Sequence, residues 1–124
     1  MKRVLVVDDE APMLAALADV LEILLGYSVD AAQNAEEALA ILRACRTAFD
    51  VLIIDRTLPG INGEELIIRL AELWPATPVV LMTGGITTGF PLPTSAGPIR
   101  HLKKPFTSRE LGRVLDELVP ASDL

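Results

Sequence analysis

The chain has 124 residues, of which 51% are hydrophobic and 23% charged, and its formal net charge is −6. This length is typical of one domain, and the composition excludes a disordered or fibrous chain. The acidic balance argues against a nucleic-acid-binding module, because phosphate contacts come from Lys and Arg. Cys45 is the single cysteine and His101 the single histidine, which excludes a disulfide framework and a multi-histidine metal site.

The apolar runs of the chain are too short for a membrane span, which needs about 20 residues, or for the apolar part of a signal peptide. We therefore expect a protein of the reducing cytoplasm that does not contact a membrane.

The first half of the chain alternates between strand and helix patterns. Residues 4–7 are continuously apolar and mostly β-branched, which predicts a strand buried on both faces. The next segment predicts a helix that ends at Gly26. Its apolar stripe consists of Leu14, Leu17, Leu21, Leu24 and Leu25. A weak edge strand over residues 27–31 follows, and Asn34 with Glu37 three residues later predicts the start of a second helix.

The middle of the chain repeats this pattern. Residues 51–54 predict a second buried strand, and residues 79–82 predict another. Between them, a helix is predicted after Gly63. Its apolar stripe consists of Leu66, Ile67, Leu70 and Leu73.

The last part of the chain departs from the pattern. Residues 84–98 are rich in Gly, Pro and Thr, and predict a long loop rather than a helix. A weak strand over residues 99–102 and a helix from Thr107, with Glu110 three residues on, complete the series. Alternating strands and helices predict an α/β fold: a flavodoxin-like, doubly wound parallel sheet of five strands in the order 2-1-3-4-5, with helices on both faces.

Polar residues follow the predicted strands, at the edge of a parallel sheet where sites form. They are Asp8 and Asp9 after the first strand, Asp55 after the third, Thr83 after the fourth and Lys104 after the fifth. Two carboxylates about 4 Å apart repel each other by about 4 kcal/mol at an effective dielectric near 20. A cation among them relieves this repulsion, and an all-oxygen ligand set suits Mg²⁺. A metal, a lysine, a hydroxyl and an acid nucleophile are the components that phosphoryl transfer to a carboxylate requires.

These residues occur in four motifs, in an order that resembles the receiver domain of two-component response regulators. The motifs are Val6-Val7-Asp8-Asp9-Glu10, the stretch 55–63, Met82-Thr83-Gly84 and Lys103-Lys104-Pro105-Phe106. The resemblance covers about residues 1–119 and implies that residues 1–124 form a single receiver domain.

The resemblance also implies a role for each site residue. Asp55 would accept the phosphoryl group, Lys104 would pair with it and Thr83 would hydrogen-bond to it. A cis peptide bond is implied between Lys104 and Pro105.

The same resemblance implies the metal ligands. Asp9 and Asp55 would bind Mg²⁺ directly, Asp8 would bind it through water, and the backbone carbonyl of Thr57 would complete the set.

Two positions depart from the family pattern. His101 stands where receivers usually carry Tyr or Phe, which puts the usual coupling between that aromatic residue and the threonine in question. The family's fourth helix should occupy residues 86–97, where the sequence predicts that a helix is missing or irregular.

The resemblance implies a signalling phosphoacceptor, not an enzyme, although it assists its own phosphorylation and dephosphorylation. Its phosphodonor would be a phosphohistidine on a histidine kinase or phosphotransfer protein, commonly docked at the first helix near Pro12. Its output would be a change in protein contacts. The 124 residues contain no DNA-binding or enzymatic output domain, so the chain is expected to be either a stand-alone receiver or the receiver of a hybrid kinase or larger regulator, and dimerisation stays open. One alternative is a receiver-like interaction module that has altered or lost phosphorylation switching. Another is an aspartate-nucleophile phosphatase, although Thr57 stands where such enzymes need a second aspartate.

Overall fold

The computed structural model describes residues 2–45, 48–58, 60–61, 63–84 and 98–119. Within these residues the chain forms five strands and four helices. The strands are β1 (Arg3–Val7), β2 (Ser28–Ala32), β3 (Val51–Asp55), β4 (Val79–Thr83) and β5 (Ile99–Lys103). The helices are α1 (Ala11–Asp19), α2 (Ala35–Ala44), α3 (Gly63–Leu73) and α4 (Ser108–Leu118). A π-helical turn, Val20–Leu24, continues α1.

The five strands form one sheet in the order β2-β1-β3-β4-β5, and all neighbouring pairs are parallel. The predicted α/β class, strand number and strand order are confirmed. Because β1 and β3 are adjacent while β2 lies outside them, the chain reverses its winding direction beside β1. Sites in open α/β sheets form at such a reversal.

The predicted loop over residues 84–98 and the missing or irregular fourth helix fall almost wholly on residues 85–97, which lie outside the described residues. Helix α4 of this structure is the helix predicted to begin at Thr107. Its capping box is complete: Glu110 N donates to Thr107 Oγ1 at 3.1 Å, and Thr107 N donates to Glu110 Oε1 at 3.1 Å.

Strands β1, β3 and β4 are buried on both faces, as their continuous apolar runs predict, whereas the edge strands β2 and β5 are only partly buried. On one face, Leu5 and Leu52 belong to the core that packs against α2 and α3. On the other, Val6 and Ile53 belong to the core that packs against α1 and α4. Apolar residues of both faces are removed from water together, which fixes the sheet between two helical layers.

The predicted stripe of the first helix is correct for Leu14, Leu17 and Leu21, which are buried, and wrong for Leu24, which is 65% exposed. The backbone explains the difference, because Leu25 N donates to Val20 O at 3.2 Å, five residues back instead of four. This wider turn rotates the following side chains away from the α-helical stripe.

Candidate functional site

Four of the five strands either end in a polar residue or are followed by one, at the same edge of the sheet. Asp8 follows β1, Asp55 ends β3, Thr83 ends β4 and Lys104 follows β5. Since β1, β3, β4 and β5 are consecutive in the sheet, these residues meet at its carboxyl edge.

Three carboxylates converge there. Asp8, Asp9 and Asp55 each offer an oxygen atom, and these atoms lie within 4.8 Å of one another. Asp8 and Asp55 are buried, whereas Asp9 is exposed to solvent. We call these three residues the acid cluster. At such distances the carboxylates repel one another unless a cation or a proton compensates them.

Lys104 supplies one positive charge to the acid cluster. Its Nζ lies 3.1 Å from Asp55 Oδ2 and 3.5 Å from Asp8 Oδ2. The backbone holds the lysine beside β4, because Lys104 N donates to Thr83 O at 2.7 Å. The Lys104–Pro105 peptide is cis, which confirms the predicted bond.

The pKa values of Lys104 and Asp8 reflect the charge balance of the site. Burial would lower the pKa of Lys104, but the hydrogen bond and charge of Asp55, together with Asp8, raise that pKa above its ordinary value. Burial raises the pKa of Asp8, although the Glu10 amide and Lys104 act in the opposite direction. One ammonium therefore does not fully compensate the buried carboxylates.

The two carboxylate oxygens of Asp8 have different surroundings. Its Oδ1 accepts a hydrogen bond from Glu10 N at 2.9 Å. Its Oδ2 is buried and has no hydrogen-bond partner among the described residues, with only the ion-pair contact to Lys104. A buried, unsatisfied carboxylate oxygen is costly, and a cation bound beside it removes that cost. The acid cluster could therefore bind a metal, and its oxygen donors suit a hard cation.

Asp55 is held on its other side by Thr57. Both Thr57 N and Thr57 Oγ1 donate to Asp55 Oδ1, at 3.1 and 3.2 Å. The resemblance implied a role only for the backbone carbonyl of Thr57, and these two hydrogen bonds were not predicted. The Asp-x-Thr spacing was the available signal, since Asp side chains often accept from the amide two residues later.

The two remaining positions singled out in the sequence lie on β4 and β5. Thr83 is buried at the end of β4, next to the strand that carries Asp55. His101 is exposed on β5, where it pairs in register with Leu81.

An apolar groove of about 200 Å³ opens beside the acid cluster, between α1 and the start of α4. Lys104 connects the groove with the acid cluster, because it lines the groove and contacts Asp8 and Asp55. The other lining residues are Met13, Ala16, Leu17, Val20, Pro105, Phe106, Ser108 and Leu111.

Comparison with known proteins agrees with this architecture. A family model described as the response regulator receiver domain matches residues 4–116. The chain is 34% identical over 118 residues to the two-component response regulator ARR14 of Arabidopsis thaliana, covering 94% of this chain and 31% of that protein. It is 51% identical over 75 residues to the virulence sensor protein BvgS of Bordetella pertussis, covering 59% of this chain and 6% of that protein.

Among solved structures, the chemotaxis response regulator CheY4 of Vibrio cholerae superimposes with a TM-score of 0.78 at 28% identity. That match covers 95% of this chain and 98% of the CheY4 chain.

The strand order and the acid cluster at the carboxyl edge define a doubly wound α/β domain with an acidic site where the winding reverses. The chain belongs to the response regulator receiver domain family, the receivers of two-component signal transduction. It spans less than a third of the length of ARR14 and a much smaller part of BvgS. None of the helices that the structure describes is long and apolar enough to cross a bilayer.

Proposed function

We propose that Asp55 accepts a phosphoryl group from a phosphohistidine and thereby switches the protein contacts of this receiver. The observation that carries the proposal is the position of Asp55. It is buried at the end of β3, with Oδ2 at 3.1 Å from Lys104 Nζ and with Asp8 and Asp9 beside it. A carboxylate in this setting has a fixed orientation and a fixed positive charge where phosphoryl charge must be stabilised.

We assign the acid cluster to Mg²⁺. Asp9 and Asp55 would bind the ion directly, Asp8 through a water molecule, and Thr57 through its backbone carbonyl. The orphaned Oδ2 of Asp8 and the absence of nitrogen or sulfur donors from the cluster support a hard cation. When bound, Mg²⁺ neutralises charge on the phosphoryl oxygens and on the carboxylates.

In the transfer step, an Asp55 oxygen forms a bond to phosphorus and the phosphorus–nitrogen bond of the phosphohistidine breaks. The imidazole leaves with the bonding electron pair on the freed nitrogen and, because its other nitrogen carries a proton, departs as neutral imidazole. Lys104 turns from the carboxylate to the phosphoryl oxygens, which carry the transferred charge. The Thr83 hydroxyl, at the end of the neighbouring strand, would then donate to a phosphoryl oxygen. The protein acts here as a phosphoacceptor that assists its own modification rather than as an enzyme that turns over a substrate.

The donor would be a histidine kinase or a histidine phosphotransfer protein, docked on the apolar groove between α1 and α4. Continuity supports this surface, since Lys104 lines the groove and also contacts Asp55. A donor that covers Met13, Ala16 and Val20 therefore reaches the acid cluster without crossing another part of the surface. The proposal includes no contact with nucleic acid or membrane, and it is compatible with a dimer as well as a monomer.

The proposal treats residues 1–124 as one receiver domain, with output through protein contacts. The free thiol of Cys45 is compatible with the reducing cytoplasm, which we propose as the location.

The decisive experiment is incubation of the protein with Mg²⁺ and acetyl phosphate, followed by intact mass measurement. We expect one phosphoryl adduct, which is absent without Mg²⁺ and absent in Asp55→Asn. Asp116→Asn removes an exposed carboxylate from α4 and serves as the matched control, which should still form the adduct. No adduct on the unmodified protein would instead favour an interaction module without phosphorylation switching.

A further inference from the structure

A second groove, which we call the α4 groove, lies between helix α4 and the residue that follows the π-helical turn. It has a volume of about 490 Å³. Leu25 forms one side, and the exposed stripe of α4 from Arg109 to Glu117 forms the other. Gly112 leaves the middle of this stripe without a side chain, and a Cβ there would contact Leu25 Cδ2 at 3.4 Å. The floor of the groove is therefore apolar and close to the backbone of α4.

The α4 groove carries an unpaired charge of each sign. Arg109 and Asp116 are seven residues apart, about two helical turns, so they lie on the same side of α4. Both are exposed, and neither side chain has an ion-pair or hydrogen-bond partner among the described residues. Glu117 differs from them, because its Oε2 lies 3.4 Å from Arg100 Nε.

Both unpaired charges oppose the dipole of their own helix. Helix α4 begins at Ser108, which places Arg109 in its first turn, and it ends at Leu118, which places Asp116 in its last turn. Anions are favoured near the start of a helix and cations near its end, which is the reverse of this order. The order becomes favourable when α4 lies beside an element that presents the opposite sequence of charges.

We propose that the α4 groove is an interface between two copies of this chain, in which the two α4 helices lie antiparallel across a two-fold axis. The midpoint between Arg109 and Asp116 falls at Gly112, where the missing side chain lets the two helices approach each other. A two-fold axis at this point places Arg109 of each copy beside Asp116 of the other. It also places each Arg109 near the negative end of the other copy's helix.

The π-helical turn adds apolar surface next to this contact. Ile23 is 78% exposed and Leu24 is 65% exposed, and both lie within two residues of Leu25 in the chain. A second copy would remove part of this surface from water. The net charge of −6 on each copy opposes association, but at physiological salt charges more than about 8 Å apart are largely screened. The local charge pairs and the apolar surface therefore determine the contact.

The association is independent of the proposed function. No residue of the acid cluster lines the α4 groove, so the contact requires neither Mg²⁺ nor phosphorylation. We expect the same dimer in a chelator and in Asp55→Asn. The adduct experiment and the association experiment can consequently fail separately.

The test is sedimentation equilibrium of the full chain with two charge-reversal variants, Arg109→Glu and Asp116→Arg. Each variant introduces the charge that the dipole of α4 favours, so we expect both to fold, which circular dichroism checks. The matched controls are Arg43→Glu on α2 and Glu72→Arg on α3. They change the net charge by the same amounts at exposed positions, on the helices that cover the other face of the sheet.

We expect the parent and the controls to form dimers, and each test variant to dimerise about tenfold more weakly or less, because two attractive pairs become repulsive. An equimolar mixture of Arg109→Glu and Asp116→Arg should recover the parent affinity. In the mixed dimer, the introduced glutamate faces the introduced arginine, and the original Arg109 faces the original Asp116.

Three results would overturn the inference. The first is a parent protein that is still monomeric at about 1 mM. The second is a mixture of the two variants that associates no more tightly than either variant alone. The third is a dimer that forms only after treatment with acetyl phosphate.

Discussion

The ammonium of Lys104 lies 3.1 Å from Asp55 Oδ2, although 49 residues separate the two along the chain. Strand β4 lies between the strands that carry them, so the long lysine side chain spans the end of that strand. The ammonium also lies 3.5 Å from Asp8 Oδ2 and thus joins the ends of β1, β3 and β5. This contact links the stability of the fold to the chemistry of the site.

Removal of this ammonium should destabilise the protein when no divalent cation is present. In Lys104→Met, the buried carboxylates of Asp8 and Asp55 face each other without a cation. We expect the free energy of unfolding at pH 7, measured by urea titration with a chelator present, to fall by about 1–3 kcal/mol, the cost of leaving a buried polar group without its partner. The exposed neighbour Lys103 provides the control, since Lys103→Met should change stability by less than about 0.5 kcal/mol. A Lys104→Met variant as stable as the parent would contradict the charge balance described above.

The buried carboxyl of Asp8 should make stability depend on pH. Burial is the largest influence on its pKa, which it raises above the ordinary value against the opposing effects of the Glu10 amide and Lys104. The folded protein therefore binds this proton more readily than the unfolded chain does. The stabilising contribution is complete below the ordinary pKa of Asp and is lost as the pH rises through the raised folded-state value.

Asp8→Asn keeps a neutral side chain at every pH and should avoid that loss. Without divalent cations, we expect the variant to be more stable than the parent by about 1 kcal/mol at pH 7. The advantage should shrink as the pH falls through the raised folded-state pKa of Asp8, and it should be smallest below the ordinary pKa of Asp. Urea unfolding over the range from acid to neutral pH measures the difference, and a constant difference at all pH values would show that Asp8 does not titrate as described.

The positions of Asp55 and Lys104 could be predicted because the signals are local. Asp55 ends a short apolar run and Lys104 follows a weaker strand pattern, and a parallel sheet brings the carboxyl ends of its strands to one edge. The exposure of Leu24 could not be predicted, because α-helical spacing assumes hydrogen bonds to the fourth residue back. The bond from Leu25 N to Val20 O reaches five residues back, and nothing in the local sequence distinguishes the two patterns. The Thr57 hydroxyl was missed for a related reason: a hydrogen bond depends on the rotamers of both side chains, whereas spacing constrains only their backbones.

Two glycines should respond in opposite directions to replacement by alanine. Gly112 lies inside α4, and an added Cβ would meet Leu25 Cδ2 at 3.4 Å, an ordinary contact. Gly112→Ala should therefore raise the free energy of unfolding by about 1 kcal/mol through helix propensity.

Gly26 follows the π-helical turn with φ of +74°, where an L side chain is strained. Gly26→Ala should lower the free energy of unfolding by about 1 kcal/mol. Urea midpoints for the two variants check both signs, and a destabilised Gly112→Ala would mean that Leu25 cannot yield.

Mg²⁺ should stabilise the folded protein through the acid cluster, because a ligand that binds only the folded state raises its stability in proportion to the logarithm of concentration. At a Mg²⁺ concentration one hundred times the dissociation constant, the gain in the free energy of unfolding is about 2.7 kcal/mol.

Asp9 is exposed, so Asp9→Asn should change the unfolding midpoint little in a chelator but remove most of the Mg²⁺-dependent increase in that midpoint. Glu10→Gln provides the matched control, since Glu10 is also exposed and is the next residue but lies outside the acid cluster. The midpoint is measured at increasing Mg²⁺ in each protein. An equal increase in Asp9→Asn and Glu10→Gln would mean that the ion does not use the Asp9 carboxylate, and the ligand set proposed here would then be wrong.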